Sequence, residues 1–285
     1  MNVIPRNGYY YLMHSFRKNN HVVTKEKYIG KEIPNNIDTM KECFLRECMH
    51  DGVFPVLEKI KNNFRCEWNS FPASVKRELL INLSIEFTYN TNAIEGSTLT
   101  LEDTEELIRR KIAPHKPLRD VQETLAHAAV FFRVMEAPPL ISLKTLLGWH
   151  LEIFGATKAD IAGKFRDYLV RVGDYVAPDW QDVEKLIHKL VRWCGANDLV
   201  MNPIELAARV HYKFEKIHPF GDGNGRIGRL IIAALLQRHH YPPLVIEYKR
   251  RVSYYKALSK TENEFVMYFI RRYVAVHKKY VHILN

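Results

Sequence analysis

The stretch His218-Pro219-Phe220-Gly221-Asp222-Gly223-Asn224-Gly225-Arg226-Ile227-Gly228-Arg229 leaves this chain few ways to fold. Gly221, Gly223 and Gly225 fall on alternate positions, so the backbone can turn tightly and let a ligand approach. Directly afterwards Ile227, Leu230, Ile231, Ala234 and Leu235 recur at i, i+3, i+4, i+7 and i+8, one face of an α-helix. A glycine loop therefore runs into a helix start, where unpaired N–H groups and the positive end of the dipole favour an anion. Arg226 and Arg229, on one side of the first turns, add two cations whose planar forks suit phosphate oxygens. The segment reads as a polyphosphate cradle made by Gly221, Gly223, Asn224, Gly225, Arg226 and Arg229.

A second helix leads into the cradle. Asn202 can cap it, Pro203 suits its first position and Glu205 stands where a capping-box carboxylate would. Leu206, Val210, Phe214 and Ile217 carry its apolar stripe, and Pro219 stops it, which leaves His218 at the helix end facing the loop. An imidazole, with a reference pKa near ~6.5, can take a proton from a hydroxyl at neutral pH. Asp222 is a hard oxygen ligand of the kind Mg²⁺ uses together with substrate phosphates. The pattern GxxxxGK(S/T) is absent, and Gly221-Asp222-Gly223 is not followed by the glycine that GxGxxG demands.

HPFGDGNGRIGR resembles the signature of the Fic family, HxFx(D/E)GNGRxxR, at every defined position. The resemblance implies a mainly α fold, a Fic-type helical bundle with a β-hairpin flap. It also implies an adenylyltransferase that moves AMP from ATP to a Ser, Thr or Tyr hydroxyl of a protein, with Mg²⁺ as the metal. On that likeness His218 is the catalytic base, Asp222 the metal ligand, and Asn224, Gly225 and Arg226 hold the α- and β-phosphates. Arg229 takes the γ-phosphate. The related Doc-type branch, which phosphorylates instead, carries Lys where this chain has Gly225.

Three further segments resemble parts of the same family. Thr91-Asn92-Ala93-Ile94-Glu95-Gly96 is similar to its inhibitory motif, (S/T)xxxE(G/N). Its residues suit the role, since Gly96 is a plausible helix stop and Thr91 lies one turn before Glu95 on the same face. The resemblance implies that Glu95 pairs with Arg229, and in some relatives such a glutamate also supports AMP removal. Lys164 to Val176 is rich in β-branched and aromatic residues around the turn signal Gly173-Asp174, and reads as a hairpin. With Gly163 and Arg166 before it, the hairpin looks like the family's flap, on which Tyr168, Leu169, Val170, Arg171 and Val172 would dock a target peptide by strand addition. Tyr254-Tyr255-Lys256-Ala257-Leu258 resembles a YYxAL segment near the adenosine, although an aromatic pair at this spacing is also ordinary core.

Composition narrows the remaining possibilities. The chain of 285 residues is 47% hydrophobic, ordinary for a globular protein able to bury a sizeable core. No apolar run reaches the ~18 residues that a membrane-spanning helix needs, and no signal-peptide pattern opens the chain. Cys43, Cys48, Cys66 and Cys194 form no CxxC pair or metal spacing and suit reduced, cytoplasmic thiols. His211, His239 and His240 form no zinc pattern and read as surface or packing residues. A formal charge of +10 permits a basic nucleic-acid-binding module with an idle core as a rival reading. No reader motif supports it, so nucleic acid is not the expected partner; a protein substrate is, with self-association and self-modification both allowed. Other phosphorus-group transfers, AMP removal among them, are the rivals within enzymes.

Along the chain, residues 1–34 read as a small β element. Strands are expected around Tyr9–Leu12 and His21–Val23 with a turn at Lys18-Asn19-Asn20, and another at Tyr28–Lys31. Residues 35–100 read as a helical region carrying the inhibitory motif, and 101–285 as the catalytic domain. Helices are expected over Leu101–Lys111 with Thr100 and Asp103 as a capping box, Val121–Met135, Leu143–Phe154, Trp180–Trp193 and Tyr254–Tyr280.

Overall fold

The structure is a computed structural model that describes residues 1–18 and 21–281, without the side chains of 17 and 18. Its elements are β1 (Asn2–Arg6), β2 (Tyr9–Lys18), β3 (His21–Gly30), α1 (Ile37–Asp51), α2 (Phe54–Ser70), α3 (Ala73–Ile94), α4 (Leu101–Glu105), α5 (Leu118–Glu136) and α6 (Leu143–Phe154). Then come β4 (Arg171–Val172), β5 (Tyr175–Val176), α7 (Trp180–Asn197), α8 (Pro203–Ile217), α9 (Asn224–Arg238), α10 (Arg251–Leu258), α11 (Glu262–Val276) and α12 (Lys278–Val281). The chain is mainly α, as expected. It groups into two compact units, residues 1–63 with 277–285 and residues 64–276, a different division from the three segments read in the sequence.

In the first unit β1, β2 and β3 form an antiparallel sheet in that order, and Leu12 and Ile29 pack with Phe44 and Cys48 of α1. The β1–β2 turn is Asn7-Gly8, with φ of +52° and +77°. This is the strongest short hairpin signal a sequence offers, and the sequence reading passed over it. Tyr28–Gly30 is not a separate strand but the end of the ten-residue β3. The turn expected at Lys18-Asn19-Asn20 lies, at Asn19 and Asn20, outside the described residues.

The second unit is built around α9, whose residues Asn224 to Leu236 are all buried, with α8, α5 and α3 against it. A helix buried on every side belongs in the middle of a bundle, and the polar exceptions among those buried residues are Asn224, Arg226 and Arg229 near its start. Thr100 and Asp103 form the expected capping box on α4. Beyond Glu105 the helix loosens into a π-turn, Glu106–Arg110, and ends at Lys111 with φ +59°. The helix expected over Tyr254–Tyr280 is three helices. Thr261 and Glu264 start a new one, Glu264 Oε2 accepting from Thr261 N at 3.2 Å while Thr261 Oγ1 accepts from Glu264 N at 3.4 Å.

Candidate active site

Helix α8 begins as its sequence indicates, with Asn202 Oδ1 accepting from Ile204 N at 3.0 Å. Glu205 is the exception. It makes no capping box but lies wholly buried and accepts from Arg209 Nε at 2.8 Å. At the other end His218 adopts the left-handed conformation, φ +50°, and its N–H closes the helix on Phe214 O at 2.9 Å. A non-glycine residue pays about 1–2 kcal/mol for that geometry, so the surroundings must hold it.

Arg166 supplies the hold. The side chain is nearly inaccessible, and its guanidinium donates to His218 O (2.8 Å), Tyr168 O (2.7 Å) and Pro178 O (2.6 Å). Its own N–H donates to Pro219 O at 2.9 Å. One residue thus ties the end of α8 to both feet of the hairpin. On the His218 ring, Nδ1 lies 3.4 Å from Glu215 O, and a carbonyl can only accept. Nδ1 therefore carries the proton in the neutral ring and Nε2 is the free base. Burial lowers the imidazole's pKa, only partly opposed by that carbonyl and by the charge of Glu95.

The loop after His218 is closed by Asn224, whose side chain accepts from Phe220 N (2.9 Å) and donates to Phe220 O (2.8 Å). The Asn224 side chain is thus occupied within the loop, which leaves its backbone as the part that can face an anion. Gly223, φ +80°, precedes α9, and no side chain caps that helix. A methyl group at 223 would strike the Phe154 ring at 2.3 Å, and one at 221 the Tyr168 hydroxyl at 2.2 Å. His150, missed in the sequence, braces the loop from below. It stacks on Phe220 at 4.0 Å and accepts from Gly163 N through Nδ1 at 2.9 Å, so its Nε2–H donates to Asp222 O at 3.0 Å. Burial pushes this imidazole down to about 4, and it stays neutral.

Two carboxylates from other helices meet the two arginines of α9. Helix α3 ends in a Schellman turn, Gly96 N bonding Ala93 O (3.2 Å) and Ser97 N bonding Asn92 O (3.0 Å) around Gly96 at φ +89°. That turn delivers Glu95, whose Oε1 lies 2.6 Å from Arg229 Nη2. Arg229 is 1% exposed and also donates to Thr91 O at 3.1 Å, while its Nε and Nη1 have no partner. Arg226 pairs with Glu123 of α5 and lies 4.3 Å over the Phe154 ring; its Nε is likewise buried without a partner. Burial pushes the Glu123 carboxyl up, but Arg226 and Lys158 outweigh it and hold the group below its usual value. Behind Arg229, burial lifts the Glu215 carboxyl to about 8.

Glu95, Arg226, Asp222, Glu123 and Asn92 line one small cleft of about 40 Å³. Asp222 is also held below its usual pKa, because the hydrogen bond from Lys158 and the charge of Arg226 exceed the opposing effect of burial. Of the YYxAL pair, Tyr254 is core, 1% exposed and bonded to His211 Nε2 at 2.7 Å, whereas Tyr255 is 45% exposed. His211 is thus the packing residue expected, while His239 is tied to Asp198 at 2.8 Å. In the hairpin Val172 pairs with Tyr175 and Arg171 with Val176 across Gly173-Asp174, shorter than the segment read as flap. Tyr168, Leu169 and Val172 are exposed, and Val170 O accepts from Ala177 N at 3.1 Å. Lys158, Glu123 and Glu215 were not singled out in the sequence, where each is one charged residue on a helix or loop.

The bundle thus brings one imidazole, an uncapped helix start and two buried arginines to a single loop and the helix that follows it. Residues 140–236 match the Fic/DOC family model. It is 35% identical over 189 residues to a protein adenylyltransferase Fic of Nematostella vectensis, and 33% identical over 193 residues to one of Culex quinquefasciatus. These matches take in 64% and 66% of this chain but 44% and 39% of those proteins, so the chain spans less than half the length of the curated relatives it matches. Its fold is similar to a Fic domain containing signaling protein from Bacteroides thetaiotaomicron (TM-score 0.70, 23% identity, 79% of this chain and 96% of that one). It is similar also to Fic-1 from C. elegans (TM-score 0.70, 24% identity, 88% and 78%).

Proposed function

We propose that this chain transfers AMP from ATP to a hydroxyl of a protein, and that Glu95 restrains the reaction. The observation that carries the reading is the convergence on one loop of a neutral base, an uncapped helix start and two arginines with unused donors. Buried donors without partners mark a site made for an anion that completes them. In the reaction His218 Nε2 removes the hydroxyl proton as the oxygen bonds to the α-phosphorus. The bond from that phosphorus to the bridging oxygen breaks, and pyrophosphate leaves. The N–H groups of Asn224, Gly225 and Arg226 and the two guanidiniums bear the charge that develops.

Asp222 fits a divalent cation: it lines the cleft, its side chain is 45% exposed, and it stays ionised. Mg²⁺ is commonly held by one or two carboxylates with substrate phosphates, and there it would neutralise phosphate charge during the transfer. A methyl group at Gly225 would lie 2.2 Å from Glu95 Oε1, so that carboxylate would have to move aside. The exposed Leu169 and Val172 beside Tyr168 suit a target strand added to the hairpin, and Tyr255 suits the adenosine. Free thiols at Cys43, Cys48, Cys66 and Cys194 suit a reducing, cytoplasmic setting, and among the described residues no helix is long and apolar enough to cross a membrane.

The test is incubation of the Glu95→Gly protein with labelled ATP and a native lysate. We expect labelled protein bands, self-modification included, that are much weaker with the parent chain. Equal labelling by the two proteins would refute the restraint.

A further inference from the structure

Lys158 sets its ammonium against Asp222 and Glu123, two carboxylates that line the cleft. Its Nζ lies 2.6 Å from Asp222 Oδ2 and 2.9 Å from Glu123 Oε1, and 4.8 Å over the Phe154 ring. Glu123 is the anchor of this arrangement. One of its oxygens meets Arg226, and the other accepts from both Lys158 and the Thr157 hydroxyl, the latter at 2.9 Å. The Lys158 side chain is 14% exposed, Glu123 5% and Asp222 45%. The ammonium is therefore fixed from behind, while the carboxylate it shares stays open to the cleft.

From this geometry we infer that Lys158 is the resident counter-ion of Asp222, and that it competes with a divalent cation for that carboxylate. The inference rests on the proposed nucleotide site and assigns a residue that controls how readily the site takes its metal. Lys158 can yield because it has two anchors: with Asp222 withdrawn, its charge still rests on Glu123 and on the Phe154 face. A charge left buried with no partner could not exchange so readily. The partnership also keeps Asp222 ionised and aimed at the cleft before any metal arrives, at the cost of a weaker hold on that metal. Lys158 is thus a positioning residue, and the KM for metal should move more than kcat when it is changed.

The experiment is a Mn²⁺ titration followed by electron paramagnetic resonance. It uses the full chain carrying Glu95→Gly, alone and with Lys158→Met or Lys158→Arg, each first without nucleotide and then with a non-transferable ATP analogue. Met keeps the stem that covers Phe154 and removes only the charge. We expect Lys158→Met to bind Mn²⁺ about tenfold more tightly, as loss of a charge-assisted competitor should give. Lys158→Arg should follow the parent, and Asp222→Asn should abolish the tight class. Unchanged Mn²⁺ affinity in a Lys158→Met protein with parental thermal unfolding would overturn the inference. So would weaker Mn²⁺ binding, or a tight class that survives Asp222→Asn. If Lys158→Met does not fold, Lys158→Gln replaces it under the same criteria. Failure of the analogue to bind any of these proteins would instead strike the nucleotide reading, while the nucleotide-free titration still decides the competition.

Discussion

The cleft has two ends that solve one problem differently. At the Arg229 end a buried guanidinium pairs with one carboxylate, Glu95 at the end of α3, whose side chain is 22% exposed, beside a bond to the Thr91 carbonyl. At the Arg226 end the partner is Glu123, 5% exposed, which also holds Lys158 and Thr157. The first contact is a single bond reached from a helix end and can open by local movement. The second is part of a closed network, and opening it would leave several buried charges unpaired. The difference teaches that like charge pairs three residues apart on one helix need not share a role: one is suited to a latch, the other to a frame.

The largest expected effect tests what the two ends serve in common. His218→Ala should lower transfer by about 10²–10⁴-fold, the usual worth of a positioned base, with nucleotide binding little changed. Retained transfer would mean that neither end is arranged around that imidazole. Next, opening the latch with Glu95→Gly should raise transfer and ATP affinity by about tenfold to a hundredfold, the range for one charge-assisted bond competing with phosphate. The frame should answer differently. Glu123→Ala should destabilise the fold by about 3–5 kcal/mol, whereas Glu95→Ala should cost about 1 kcal/mol, both read by denaturant unfolding. Equal losses would erase the distinction between the two ends.

A smaller effect concerns the imidazoles behind both ends. Burial holds His127 down to about 3, assisted by Arg226 and Arg229, His211 down to about 3, assisted by Arg229, and His150 down to about 4. A histidine with a depressed folded pKa favours the folded state above its unfolded pKa near ~6.5. As pH falls below that value the unfolded chain gains protons first, and stability declines until the folded pKa is passed. Between pH 7 and pH 5.5 the three together should remove up to about 4 kcal/mol. His211→Phe and His127→Phe should each flatten part of the decline, and an unchanged slope would contradict neutral burial.

The latch was legible in the sequence and the frame was not, for a physical reason. Glu95 is announced by local rules: a glycine two residues beyond the last full turn, a threonine one turn before, and a motif with fixed spacing. Helix α8 and the glycine loop after it were legible in the same way, from Asn202 through Pro219 to the glycines. Glu123 and Lys158 carry no local signal, because their meaning comes from residues 103 and 64 positions away in Arg226 and Asp222. The same holds for His150, whose tautomer is set by a glycine of the flap's lead-in and read out by the backbone of Asp222. Local signals were also missed: Asn7-Gly8 marks the first hairpin and Thr261 with Glu264 the break between α10 and α11. Glu205 shows the opposite error, a capping pattern overridden by a buried partnership with Arg209.

The central claim is that the cleft delivers the α-phosphorus of ATP to a hydroxyl once Glu95 is withdrawn. The most direct measurement supplies the Glu95→Gly protein with ATP labelled in parallel at the α- or the γ-phosphate, and counts label retained on protein after denaturation. The account predicts that α-label is retained, γ-label is not, and both are absent when His218→Ala is added. Retention of γ-label, or α-label that survives His218→Ala, would contradict it.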